Sequence, residues 1–200
     1  MATKAEQRDR TRAEIVRIAT RRFAESGYAG VALEDLVAEA GLTRGALYHH
    51  FGSKLGLFQG VVDAAQRGVA EAVEAAADAH DDTLEGFLAG CRAFLEASLA
   101  PAVRRILLVE GPAVLGWGEW REGDLETSVR LLDAGVAELA AAGVVDGDGL
   151  DLGIVTAMLS GALNEAALVS AEASDPDAGT DAAIATLRRM LVGLAPAAAQ

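Results

Sequence analysis

Apolar residues recur at three and four positions along most of this chain, a spacing that predicts an all-α protein of about nine helices. Ile15, Ile18, Ala19 and Phe23 give a first helix, from near Glu6 to Ser26, one face to bury, and Gly27 stops it. Leu33, Leu36, Val37 and Ala40 fall at i, i+3, i+4 and i+7 and define a second. Gly41 stands where a helix commonly ends in a left-handed residue, a conformation that glycine adopts freely. Thr43 then supplies a side-chain oxygen to cap a third helix. That helix carries Arg44, Gly45, Tyr48 and His49 on one side, with Ala46 and Leu47 on the other. An apolar helix, a tight glycine turn and a second helix with a polar outer face fit a helix-turn-helix, whose second helix enters the DNA major groove.

Ser53 caps a long fourth helix reaching about Ala79, with Leu57, Phe58, Val61, Val62, Ala65, Val69 and Val73 as its stripe. It starts at the helix-turn-helix and ends in the body of the chain, which makes it the natural mechanical link. Asp82 and Glu85 predict a capping box for a fifth helix, which carries Phe87, Cys91 and Phe94. Pro101 suits the first turn of a sixth helix ending near Glu110. Gly111-Pro112 and Gly116 then break the pattern, leaving a short irregular or helical piece over 111–118. A seventh helix is expected from Glu119 to Ala142, followed by a loop at 144–149. The DGDG of that loop lacks the remaining ligands and the closing Glu of a calcium loop.

The eighth helix, about Leu150 to Ala173, is apolar nearly all round. Gly153, Ala157, Ser160, Asn164, Ala167 and Ala171 form one seam, and Val155, Leu159, Ala162, Ala166 and Val169 a second. A helix that hides two faces lies between layers. Asp175 caps and Pro176 begins a ninth helix, with Ile184, Leu187, Leu191 and Leu194 along one side, before a loose tail from Pro196 to Gln200.

Charge divides the chain. The net charge is −13, whereas DNA favours basic surfaces. Residues 1–54 nonetheless hold nine Lys/Arg against seven Asp/Glu, so the other 146 residues carry −15. Basic residues gather at the proposed reading unit and the body is acidic, which supports one DNA-facing end. Two hundred residues suit one large helical domain or two small ones. No run of about 18 uncharged apolar residues occurs, which argues against a membrane span. MATKAEQRDRTR has no apolar core for a secretory signal, so a cytoplasmic protein is expected. The single Cys91 excludes an internal disulfide and a Cys-based metal site.

Gly27-Tyr28, Leu36-Val37-Ala38, Ala40-Gly41-Leu42-Thr43, Gly45-Ala46-Leu47-Tyr48-His49-His50-Phe51 and Ser53-Lys54 together resemble the DNA-binding domain of the tetracycline-repressor (TetR) family. The resemblance covers about residues 8–68. It implies a helix-turn-helix domain over 1–54 and a helical effector-binding and dimerisation domain over 55–200. It also implies a homodimeric regulator, a repressor released by a small molecule, acting on a near-palindromic operator; activation is the other direction of control. A helical small-molecule-binding protein or enzyme that reuses the fold without gene control is the alternative. No phosphate-binding glycine loop, nucleophile–base pair or metal-spaced cluster supports catalysis.

Thr43, Arg44, Gly45, Tyr48, His49, His50 and Lys54 are the expected DNA-binding residues. Arg44 offers a fork suited to guanine O6 and N7, and Gly45 lets the backbone approach the duplex. The resemblance implies a phosphate contact for Lys54 and base or phosphate contacts for Tyr48, His49 and His50. By helical angle His50 instead turns inward. Adjacent histidines on a helix diverge, so no metal is expected at His49-His50, and no cofactor is expected elsewhere. Family members usually carry Ser or Thr before the second helix, but Val31 and Ala32 stand here, so its cap comes from elsewhere or is missing at a cost of ~1 kcal/mol. The family's effector cavity lies between the link helix and those that follow. Phe87, Cys91, Phe94, Trp117, Trp120 and Met158 are the candidates to line it. For a dimer interface built from the last two long helices, the candidates are Gly153, Ala157, Ser160, Asn164, Ala167, Ala171, Ile184, Leu187 and Leu191.

Overall fold

The computed structural model describes residues 3–196; the expected tail beyond Pro196 lies outside them. All regular structure among the described residues is helical, as the periodicity predicts. The described residues divide into two compact units, one formed by 3–65 with Pro101–Arg121, the other by Gln66–Ala100 with 122–196.

The first unit begins with α1 (Lys4–Gly30). Its start lies earlier than the apolar stripe suggested, because Thr3 and Glu6 form a reciprocal capping box. Its end is a kink at Gly27, whose φ of 69° and ψ of 168° suit glycine alone. Then come α2 (Leu33–Glu39) and α3 (Arg44–Phe51), and the unit includes the first half of α4 (Lys54–Ala77). As the sequence predicts, Ala32 provides no side-chain cap to α2, while Ser53 Oγ accepts from Gly56 N–H at 3.0 Å at the start of α4. Ile15, Ile18, Phe23, Leu36, Leu47, Leu57 and Phe58 are buried to within a few per cent and knit these helices together. Phe23 and Phe58 meet edge to face at 5.1 Å, and Tyr28 adds a third ring 5.2 Å from Phe58.

The segment 101–121 packs into this same unit. α6 (Pro101–Arg104) widens into a π-helical turn, Arg105–Glu110, before α7 (Gly111–Leu115). Arg105 Nη1 donates to the carbonyls of Ala24 and Glu25 at 3.0 and 3.1 Å. Glu110 accepts the Tyr28 N–H at 2.8 Å. These two side chains satisfy backbone groups that the Gly27 kink leaves without helical partners.

In the second unit, the expected seventh helix is two: α8 (Trp117–Leu125), which starts in the first unit, and α9 (Ser128–Ala141). Thr127 interrupts it, its hydroxyl donating to the Gly123 carbonyl at 2.9 Å. α5 (Thr83–Leu99), α9, α10 (Leu152–Glu172) and α11 (Pro176–Gly193) pack against one another. Asp82 caps α5, Asp151 caps α10 and Asp175 caps α11. Only half of the Asp82–Glu85 box forms, because the Glu85 carboxylate pairs in bidentate fashion with Arg188 at 2.6 Å.

By length and composition α10 is apolar enough to cross a membrane. It packs instead against α5, α9 and α11, with Glu165 exposed midway along it.

Candidate nucleic-acid interface and internal cavity

The presentation of α3 follows from local chemistry. Gly41 takes φ 62°, and Leu42 N–H reaches back to the Val37 carbonyl at 3.0 Å, which closes α2. Thr43 Oγ1 accepts from Ala46 N–H at 3.2 Å and opens α3. Leu47, 1% exposed, anchors the helix to the core. Arg44, Gly45, Tyr48 and His49 are consequently exposed. Arg44 is not free: Nη1 donates to Glu34 Oε1 at 2.9 Å, and Nη2 lies 3.4 Å from the Tyr48 hydroxyl. Sequence reasoning missed Glu34, although its position in the first turn of α2 was a legible signal.

His50 is half-buried and its Nδ1 has no hydrogen-bond partner, which agrees with the inward alternative. Burial holds its pKa below the usual imidazole range, helped by His49, Arg8 and Arg12 nearby. Arg12 also stacks over the Phe51 ring at 4.9 Å, so the basic start of α1 flanks α3. Lys54 is half-buried with Nζ 4.6 Å above the Tyr28 ring, a cation–π contact that fixes its stem.

The second unit holds a half-open cavity of about 570 Å³, within the size range of small-molecule sites. Phe87, Cys91 and Phe94 line it, together with residues of α4, α9 and α10. Burial pushes the Cys91 thiol up to about 12, so it stays protonated and inert. The other three expected lining residues do not border it. Met158 is 68% exposed on the outer side of α10. Trp120 is buried in the first unit beside Gly111, and Trp117 is exposed with its ring 5.0 Å from that of Trp120.

Part of the expected dimer set is covered within the single chain. Ser160 and Asn164 border the cavity, and Ala167, Ile184, Leu187 and Leu191 are buried within the single chain. Ala171 is half-buried, which leaves Gly153 and Ala157 exposed. A side chain buried in its own chain is not available to a second copy. The large apolar residues that α10 and α11 expose are Ile154, Met158, Val169, Met190 and Val192.

Residues 15–61 match the family described as bacterial regulatory proteins, tetR family, and residues 84–194 match the tetracyclin repressor-like C-terminal domain. The chain belongs to the TetR family. It is therefore a transcriptional regulator with a DNA-binding helix-turn-helix, not an enzyme. A crystal structure of a TetR-family transcriptional regulator from Pectobacterium atrosepticum is 36% identical, with a TM-score of 0.77 over 98% of this chain and 99% of that one. The HTH-type transcriptional regulator TtgR of Pseudomonas putida is 43% identical over 58 residues, 29% of this chain and 28% of TtgR. The HTH-type transcriptional repressor AcnR of Corynebacterium glutamicum is 48% identical over 48 residues, 24% of this chain and 26% of AcnR. The chain thus matches only about a quarter of the length of these curated relatives, whereas the Pectobacterium TetR-family structure matches along the whole chain.

Proposed function

We propose that this TetR-family regulator is a cytoplasmic homodimeric repressor that binds a near-palindromic operator and is released by a small molecule. The observation that carries the reading is α3: capped by Thr43, anchored by Leu47, and exposing Arg44, Gly45, Tyr48 and His49 along one side. Two such helices in a dimer enter successive major grooves about 34 Å apart. Arg44 reads a base edge, Gly45 admits the backbone, Tyr48 and His49 contact bases or phosphates, and Thr43, His50 and Lys54 position the helix. Residues 1–54 then act as the reading domain and 55–200 as the effector and dimerisation domain.

Dimerisation uses the exposed apolar side of α10 and α11, where Ile154, Met158, Val169 and Met190 present large side chains to solvent. The effector occupies the cavity beside α4. Because α4 runs from Lys54 to Ala77, an effector that favours one tilt of this helix changes the separation of the two reading helices. Coupling of ~1–3 kcal/mol is typical of such switches.

The test is binding of the purified protein to its own upstream DNA at moderate salt, followed by a screen for compounds that release it. Preference over random duplex and release by a compound support the reading. Equal affinity for both duplexes overturns it.

A further inference from the structure

We propose that the cavity of the second unit takes an amphipathic organic cation: an apolar, partly aromatic skeleton carrying a positively charged nitrogen. This deepens the effector-site reading above and rests on it. A cavity of about 570 Å³ has room for a drug-sized molecule. Its apolar lining is supplied by Phe87, Phe94, Leu131, Leu132 and Leu163, and aromatic faces attract cations as well as apolar skeletons.

The ionisable lining is one-sided. Glu74, Asp78, Asp81, Asp82 and Glu138 stand exposed around the cavity's mouth and Asp124 is buried beside it; His80 is the one basic group among the lining residues, and neither Lys nor Arg is present there. Cations outside the lining offset a part of this. Arg130 Nη2 lies 3.7 Å from Glu74 Oε1, and Arg188, paired with Glu85, acts on Asp82. With Glu74 and Asp82 set against these two and Asp124 left aside, Asp78, Asp81 and Glu138 still outnumber His80 around the mouth. An anionic ligand meets like charge at the mouth, whereas a cation meets carboxylates at the mouth and ring faces within. Neutral polar groups of Ser128 and Asn164 also border the space without changing that sign.

Calorimetry on the full-length protein with three probes of one shape tests the class. N-methyl-4-phenylpyridinium is the cation, 4-phenylpyridine at pH 8 the neutral form, and biphenyl-4-carboxylate the anion. The cation is expected to bind about tenfold tighter than the neutral probe, with the anion weakest. That preference should shrink between about 50 and about 500 mM salt. In the Asp78→Asn, Glu138→Gln double variant the cation weakens while the neutral probe is unchanged; in Phe94→Ala both weaken. Equal affinities, a preference for the anion, or no cation binding at millimolar concentration overturns the proposal. If the double variant does not fold, the wild-type comparison across the three probes and two salt concentrations still decides.

DNA release is read separately, so the two proposals fail separately. A cation that binds as described yet leaves the DNA complex intact supports the ligand class and contradicts effector release. A neutral or anionic compound that binds tightest in the cavity and releases DNA contradicts the ligand class and supports effector release.

Discussion

Arg44 donates from Nη1 to Glu34 Oε1 at 2.9 Å, so a carboxylate of α2 holds the guanidinium proposed to read a base. The Tyr48 hydroxyl and ring lie on its other side, 3.4 Å from Nη2 and 5.5 Å from the guanidinium carbon. The Tyr48 hydrogen bond, with Glu34 contributing, raises the Arg44 pKa further, so the charge is permanent. DNA must take Arg44 away from Glu34, and the approaching phosphates also meet the Glu34 charge. Removing that charge in Glu34→Gln should tighten binding to the operator about threefold to tenfold at ~100 mM salt, read by fluorescence anisotropy. Weaker binding would show that Glu34 orients Arg44 rather than competing for it.

Arg44 and Lys54 should fail in different ways. Arg44→Ala relaxes base choice, lowering the operator-to-random affinity ratio by ~10-fold or more. Lys54→Ala weakens all duplexes alike and reduces the salt slope by about one, as for a lost phosphate contact. Titrations of both variants against matched and scrambled duplexes at several salt concentrations check this. Equal loss of specificity in the two would contradict the roles given to them.

His50 makes stability depend on pH. Its folded pKa lies below the ordinary imidazole value because burial, and then His49, Arg8 and Arg12, disfavour the charged form. The unfolded chain therefore takes up a proton at a higher pH than the folded one. Stability is intact above the unfolded value of 6.5 and is lost as pH falls from there through the lower folded pKa. Thermal melts between pH 7 and pH 5 should fall more steeply for the wild type than for His50→Gln. Parallel curves would mean that His50 is solvated in the folded protein.

Gly135 sets the position of a cavity wall. A Cβ built there would lie 2.7 Å from Phe87 Cδ2 and 3.1 Å from Cε2, closer than carbon atoms pack. Gly135→Ala should therefore push the Phe87 ring into the cavity and destabilise by ~1–3 kcal/mol, partly offset by the better helix propensity of alanine. Pairing it with Phe87→Leu should recover most of the loss in a denaturant titration. An unchanged midpoint for Gly135→Ala alone would show that the ring yields without cost.

The helix-turn-helix was legible because each part has a local cause: the 3.6-residue stripe from Leu33 to Ala40, the left-handed Gly41, the Thr43 cap. The Asp175-Pro176 start of α11 was legible for the same reason. What escaped reading depends on distant partners. Nothing local to Arg105 or Glu110 says that they close the end of α1 some 80 residues earlier. α10 is apolar on several sides, so periodicity could not say which seam faces its own chain. In the seam of small residues Gly153 and Ala157 are exposed while Ala167 is fully buried, and Met158, expected in the cavity, faces out. The tryptophans misled because an aromatic pair near glycines suits a cavity wall and a packed kink equally well; Gly111 here makes room for Trp120.

Hydroxyl-radical footprinting of the wild-type protein on its own upstream DNA tests the central claim, that paired α3 helices read the major groove. The account predicts two protected half-sites about 10 base pairs apart, centre to centre, both lost in Arg44→Ala at concentrations that protect fully in the wild type. Uniform protection, a single protected segment, or a footprint unchanged in Arg44→Ala would contradict it.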